Sequence, residues 1–333
     1  MNPRNLLISL SLIVLALLIW QLRWVLLVLF GAVVLAVALD VPVKPLIVRW
    51  RIPRPLALLI VLLMVLIAGL VIVQVLLPQL ITQFEQLTTL LPSLFATFRT
   101  LLANQPLFAD LESNLPDQFS WERIQPVGFQ LLGVAGGAAN GVVQVMLMSL
   151  LAVLLALDPT SHRRMVIALT PRPARTSVAE LLDQCRKALG GWLAGMTLSA
   201  SAVFLLTWAG LAALGVPLAL LSALVCGLLT FVPTIGPTAA TLLPMGVSLL
   251  ISPGLMLQVL VLRLVLQNLE AFVLTPLLLR RTVNLLPTVA LTSQLSLGAL
   301  LGLPGVLLAL PLVVVLQVGI EQVVVREVMD RWT

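Results

Sequence analysis

Arg263, Gln267 and Glu270 stand at positions i, i+4 and i+7 of a stretch, 255–279, that is otherwise almost entirely apolar. One face of a helix there would carry a cation, an amide and an acid. An ionisable side chain at the centre of a bilayer costs about 2.5–3.5 kcal/mol on insertion scales, so such residues usually face a cavity or one another. Glu270 falls close to mid-span, where ionisation is costly and a carboxyl is suited to carrying a proton. Asn268 adds a second polar group nearby. The architectural alternative is an Arg263–Glu270 pair that neutralises itself and fixes the rotation of the helix.

Two further segments offer backbone rather than side-chain chemistry. The first, 216–250, is cut by Pro233, Thr234, Ile235, Gly236 and Pro237; the second, 285–319, is cut by Gly302, Leu303, Pro304 and Gly305. Each half is about 15 residues, short of the ~20 that a helix needs to cross a bilayer. Broken backbone at membrane depth is tolerated only where it is buried in protein or lines a cavity. Paired interrupted segments therefore point to a transporter's binding site. Thr230, Thr234, Thr238 and Thr241 cluster at the first break, and Thr288, Thr292, Ser293, Gln294 and Ser296 line the first arm of the second. A half-helix N-terminus suits anions or oxygen-rich solutes. Isolated Ser and Thr more often bond their own helix than a ligand. Two ordinary proline-kinked spans would give the same sequence pattern.

The elements that position these groups follow from composition. The 333 residues are 60% hydrophobic and 10% charged, with a mean hydropathy of +1.15. A soluble domain carries about 25% charge, so this chain cannot wet its own surface. The expected fold is an all-α membrane protein: a polytopic bundle of about eight segments with two Pro/Gly-broken helical hairpins of opposite orientation. Candidate spans are 6–20, 24–39, 56–77, 127–157, 192–214, the first broken segment, 255–279 and the second broken segment. Arg23, between Trp20 and Trp24, reads as a tight turn anchored at the interface. The N-terminal run lacks a small-residue cleavage site and reads as a retained helix.

The net charge of +6 belongs to the positive-inside pattern rather than to nucleic acid, since no basic run is interleaved with aromatics. A cytoplasmic N-terminus places all but four of the 19 lysines and arginines inside; Arg23, Arg99 and Arg123 fall outside and Arg263 within a span. The chain then divides into N-terminal membrane helices (1–80), an external amphipathic region (81–126), a membrane helix (127–157) and a basic cytoplasmic loop (158–190). A transport core with both breaks (191–320) and a cytoplasmic tail (321–333) complete it. The first broken segment begins and ends outside and the second inside, as an inverted pair would. In the external region Leu87, Leu90, Leu91, Leu94, Phe95, Phe98, Leu101 and Leu102 recur at helical spacing. They read as a helix lying on the membrane or packed on a neighbouring subunit, with Pro92 kinking it. Gly133, Gly137 and Gly141 read as a helix-packing face.

Enzyme signatures are missing. There is no phosphate-binding loop and no zinc-protease motif; the one histidine, His162, sits in the basic stretch, and the two cysteines, Cys185 and Cys226, have no metal-ligand spacing. The residues imply no catalysis and no cofactor. Without an ATP site, uphill transport would draw on a proton or sodium gradient or on an ATPase partner.

Phe231-Val232-Pro233-Thr234-Ile235-Gly236-Pro237, then Gln267-Asn268-Leu269-Glu270 with Pro276, then Val283-Asn284-Leu285 with Pro287, Gly302, Gly305 and Pro311, resemble the autoinducer-2 exporter family of bacterial permeases. The likeness covers essentially the whole chain. Thr234 departs from the family's usual aromatic and Leu286 from a common histidine; both departures fall at the expected site and bear on which solute is taken. The resemblance implies an inner-membrane homo-oligomer, a pentamer, embedded in lipid, in which a hairpin-bearing unit moves against a scaffold. It implies export of a small polar solute such as autoinducer-2, with Asn284 and Pro287 joining the two breaks and the polar stripe at the site; Thr292 joins them from its place on the first arm of the second break. Some relatives are credited with sodium–proton exchange, so a cation–proton antiporter using Glu270 is the second reading. A non-transporting membrane scaffold is a third.

Overall fold

The computed structural model describes residues 10, 14, 17, 18, 20–103, 138–232, 235–274 and 286–322. Among the described residues every regular element is helical. In chain order they are α1 (Arg23–Trp50), α2 (Arg54–Ala103), α3 (Ala138–Leu157), α4 (Pro159–Ala168), α5 (Arg175–Ala213), α6 (Ala219–Leu229), α7 (Ile235–Leu249), α8 (Pro253–Leu269) and α9 (Pro287–Gly319). Among the described residues five helices are long and apolar enough to cross a membrane, and a sixth span counts if α3 and α4, bent by 87° at Asp158, are taken together. The all-α polytopic expectation is met.

Several boundaries differ from the sequence reading. No tight turn forms at Arg23: Leu22 donates to the Leu18 carbonyl and Leu26 to that of Leu22, so helical bonding runs through the point. Arg23 instead stacks on Trp20, 4.5 Å from the ring centroid. Helix α1 continues past Pro42 and Pro45 to Trp50 and stops at Arg51 in the left-handed conformation. The stretch read as a basic loop, 158–190, is largely helix. Asp158 caps α4 by accepting from the Ser161 N–H at 3.0 Å and from the Thr160 hydroxyl at 2.7 Å. Helix α5 then carries the basic segment straight into the apolar one.

The chain forms two compact units, each taken by itself. The first comprises Met1–Val61, Gly141–Leu193 and Val283–Thr333; the second comprises Leu62–Asn140 and Ala194–Thr282. In the first, Gly31 lets α1 approach its neighbours: a Cβ there would meet the Met148 sulfur at 2.6 Å and Leu308 at 3.2 Å. In the second, Leu211, Val216, Leu218, Leu221, Val247 and Val259 form a buried cluster. Leu87 and Leu90 of α2 pack on it, and Leu94 lies 3.5 Å from the space over Gly246. The front of the amphipathic stretch therefore packs within its own chain, where its leucines find an apolar surface already assembled. Phe95, Phe98, Leu101 and Leu102 continue the backbone of α2, but their side chains, residues 104–126, and Gly133 and Gly137 lie outside the described residues.

Candidate functional site

Helix α8 carries the polar stripe of the second unit. Ser252 caps its start, accepting from the Leu255 N–H at 3.1 Å, with Pro253 at the first helical position. That start sets the rotation that turns Arg263 inward, where it is only 2% exposed. Its guanidinium donates from Nη1 to Thr207 Oγ1 at 3.0 Å, from Nε to Thr241 Oγ1 at 3.2 Å and from Nη2 to the Pro237 carbonyl at 3.4 Å. Gln267 Nε2 donates to the same Pro237 carbonyl at 2.9 Å and to Thr241 Oγ1 at 3.2 Å. Thr241 completes the set with its own O–H on Pro237 at 2.9 Å. Three side chains thus converge on one carbonyl in the first turn after the break.

The Arg263–Glu270 pair does not form. None of the ion pairs among the described residues includes either side chain. Glu270 is half-buried and its carboxylate accepts one long bond, 3.5 Å, from Ser199 Oγ of α5. It opens a π-helical turn, Glu270–Leu274, a distortion that occurs often at functional sites. Arg263 is a buried cation held by neutral oxygens; its desolvation is offset by three charge-assisted hydrogen bonds.

The first broken segment is a hairpin. Cys226 in α6 donates its thiol to the Ala240 carbonyl of α7 at 3.5 Å, so the two helices lie side by side. At Gly236 the arms lie close together: a Cβ there would overlap the Leu229 carbonyl oxygen. Along a straight helix those two residues would be about 10 Å apart. The second broken segment doubles back in the same way within the first unit. Gly302 has φ 63° and ψ −150°, a conformation that only glycine adopts readily. A Cβ on Gly305 would overlap the carbonyl oxygen of Leu297, eight residues earlier, and one on Gly298 would lie 2.8 Å from Val306. Kinked continuous spans cannot bring these atoms together.

Other expected residues separate from this picture. Asn268 is exposed and bonds its own helix, Nδ2 to the Leu264 carbonyl at 2.7 Å, because it lies about 100° around α8 from Gln267. Thr292 is exposed and bonds back to the Thr288 carbonyl at 2.7 Å; Pro287 simply opens α9. Pro233, Thr234 and Asn284 lie outside the described residues. Arg263, Gln267, Glu270, Gly236 and Pro237 belong to the second unit; Pro287, Thr292, Gly302 and Gly305 belong to the first.

A family model described as AI-2E family transporter matches residues 8–324. The chain belongs to the AI-2E transporter family. It is 26% identical over 297 residues to the AI-2 transport protein TqsA of Escherichia coli (strain K12), covering 87% of this chain and 84% of that one. It is also 25% identical over 251 residues to YrrI of Bacillus subtilis (strain 168), a protein named for transport, covering 72% and 70%.

In this AI-2E transporter the sequence reading missed two partners of the stripe, Ser199 and Thr207. They stand eight apart on α5, flanking buried Val203 at i+4, and that spacing was the available signal. Beside the first break a groove of about 430 Å³ runs between α5 and α6, lined by Thr197, Ser201, Phe204, Leu228 and Phe231 among others. Gly227 closes its floor, a Cβ there falling 3.1 Å from the Ala200 carbonyl.

Proposed function

We propose that this chain is a secondary transporter or facilitator that exports a small polar organic solute, of the autoinducer-2 kind, across the inner membrane. The observation that carries the reading is the convergence of Arg263, Gln267 and Thr241 on the Pro237 carbonyl. A polar stripe that would be costly in lipid is spent on holding a broken hairpin, which a passive span would not need. The groove beside that break is of the size that takes a small ligand. The relation to TqsA supports autoinducer-2 as the first solute to try.

The same reading has the protein working as a homo-oligomer, a pentamer, with both termini cytoplasmic, and with the hairpins as the moving and binding parts. Pro233, Thr234, Asn284, Pro287 and Thr292 enter as solute-facing positions. A second reading, cation–proton exchange through Glu270, is favoured by one feature: that carboxylate lies in a membrane helix without an ion-pair partner among the described residues. Purified protein in sealed vesicles, loaded with autoinducer-2 under imposed proton, sodium or no ion gradients, separates the two. Solute efflux supports export; proton movement driven by sodium without efflux supports exchange; neither refutes both.

A further inference from the structure

We propose that Lys44, Arg54 and Arg186, gathered around Asp40 in the first unit, form a phosphate site that takes the headgroup of an anionic phospholipid. Asp40 of α1 is 4% exposed. Arg54 Nη2 donates to its Oδ1 at 2.8 Å, Arg186 Nη2 bonds its Oδ2, and Lys44 Nζ stands 3.8 Å from that same oxygen. Three cations share one carboxylate, which leaves two positive charges without a counter-ion among the described residues. Arg54 also donates Nε to the Ala156 carbonyl at 2.9 Å, capping the last turn of α3. Nη1 of Arg54, with Nε and Nη1 of Arg186, has no acceptor among the described residues.

The cluster is open on one side. The side chains of Arg54, Arg186 and Lys44 are 25%, 32% and 55% exposed, against 6% for that of Asp40. Its place in the chain is the end of an apolar helix: α1 closes with Arg49, exposed Trp50 and Arg51. Basic residues with an exposed tryptophan at the end of a span mark the membrane–water interface. A basic pocket between membrane helices at that level suits acidic headgroups. Two guanidinium forks with free N–H groups suit phosphate oxygens, with Lys44 as a point charge beside them. In this arrangement Asp40 orients the cations and competes with the ligand.

The test uses the full-length protein, stripped of lipid in neutral detergent and titrated with phosphatidylglycerol, phosphatidylcholine or inorganic phosphate. Binding is counted by native mass spectrometry and thermal shift. Phosphatidylglycerol is expected to bind in preference to phosphatidylcholine. Lys44→Gln, which removes only the long contact, should weaken that binding about fivefold without changing lipid-free stability. Asp40→Asn should lower lipid-free stability yet tighten phosphatidylglycerol binding, because it removes the internal competitor. Binding of inorganic phosphate with the same dependence on both variants supports the phosphate site and assigns it a soluble occupant. Equal binding of the two lipids, or phosphatidylglycerol binding unmoved by both variants, overturns the proposal and leaves Asp40 a structural tie.

Discussion

Gln267 donates its side-chain amide to the carbonyl of Pro237 across 2.9 Å, joining α8 to the first turn of α7 just beyond the break. Arg263 reinforces that contact at 3.4 Å and itself lies buried without a carboxylate partner among the described residues. The join holds the hairpin but is made only of hydrogen bonds to neutral oxygens, each of which can be exchanged for another without stranding an opposite charge. Such a contact suits the proposed role of the hairpin as a moving part.

The first prediction separates holding from folding. In Arg263→Leu the Pro237 carbonyl keeps Gln267 and Thr241, and the cost of embedding a cation disappears, so stability should stay within about 1 kcal/mol of the parent. Gln267→Leu should behave alike. Both should lose solute flux by about tenfold, the equivalent of one hydrogen bond of ~1.4 kcal/mol. Thermal unfolding in detergent and vesicle efflux check the two halves. Unfolding in parallel with lost flux would make the stripe purely structural.

Glycine substitutions test the hairpins themselves. Gly236→Ala and Gly305→Ala would each drive a Cβ into a carbonyl oxygen that cannot swing aside, costing about 1–3 kcal/mol. Gly302→Ala should cost about as much through backbone strain alone. Gly319→Ala, with nothing within 4 Å of its added Cβ, should be neutral or gain up to about 1 kcal/mol from helix propensity. Unfolding midpoints of the four variants give the ranking. Equal midpoints for Gly319→Ala and Gly305→Ala would contradict the close approach of the arms.

Both breaks and the polar stripe were legible in the sequence because proline, glycine and isolated charges stand out against an apolar background, but the choice between hairpins and kinked spans was not, since it rests on contacts between the arms. What was not legible rests on long-range partners. Asp40 finds Arg186 146 residues away, and no local pattern announces it. Leu87 and Leu90 read as a free amphipathic face because their cluster is assembled from α5, α6, α7 and α8. Helix α1 runs through Pro42 and Pro45 although proline is a breaker in the local rules. Asn268 was grouped with its neighbours by sequence proximity, whereas helical geometry places it on another face.

Asp158 supplies a pH prediction outside the spans. Its bonds from Ser161 and Thr160 hold the carboxyl well below the usual carboxylate range. A depressed folded value means that the cap contributes above the unfolded value near 3.9 and fades as pH falls through that value towards the folded one. Amide exchange in α4 should therefore accelerate at the acid end in the parent. In Asp158→Asn, which keeps the acceptor but not the charge, the acid-induced acceleration should be absent. Identical acid dependence in the two would contradict the assignment.

Orientation has its own test. Single cysteines at Ser113 and at exposed Thr176, in a background lacking Cys185 and Cys226, should react differently with an impermeant maleimide on intact cells. Ser113→Cys should label and Thr176→Cys should not. The opposite pattern would invert the topology.

The central claim is that the breaks carry transport while the other helices carry assembly. The measurement is efflux of autoinducer-2 from vesicles holding either the parent or a variant with residues 233–237 replaced by alanine, each first sized for its oligomer. Alanine favours one continuous helix and removes the bend that brings the Pro237 carbonyl to Gln267. The account predicts oligomers of the parental size with flux reduced to background. Parental flux from the alanine variant would contradict it.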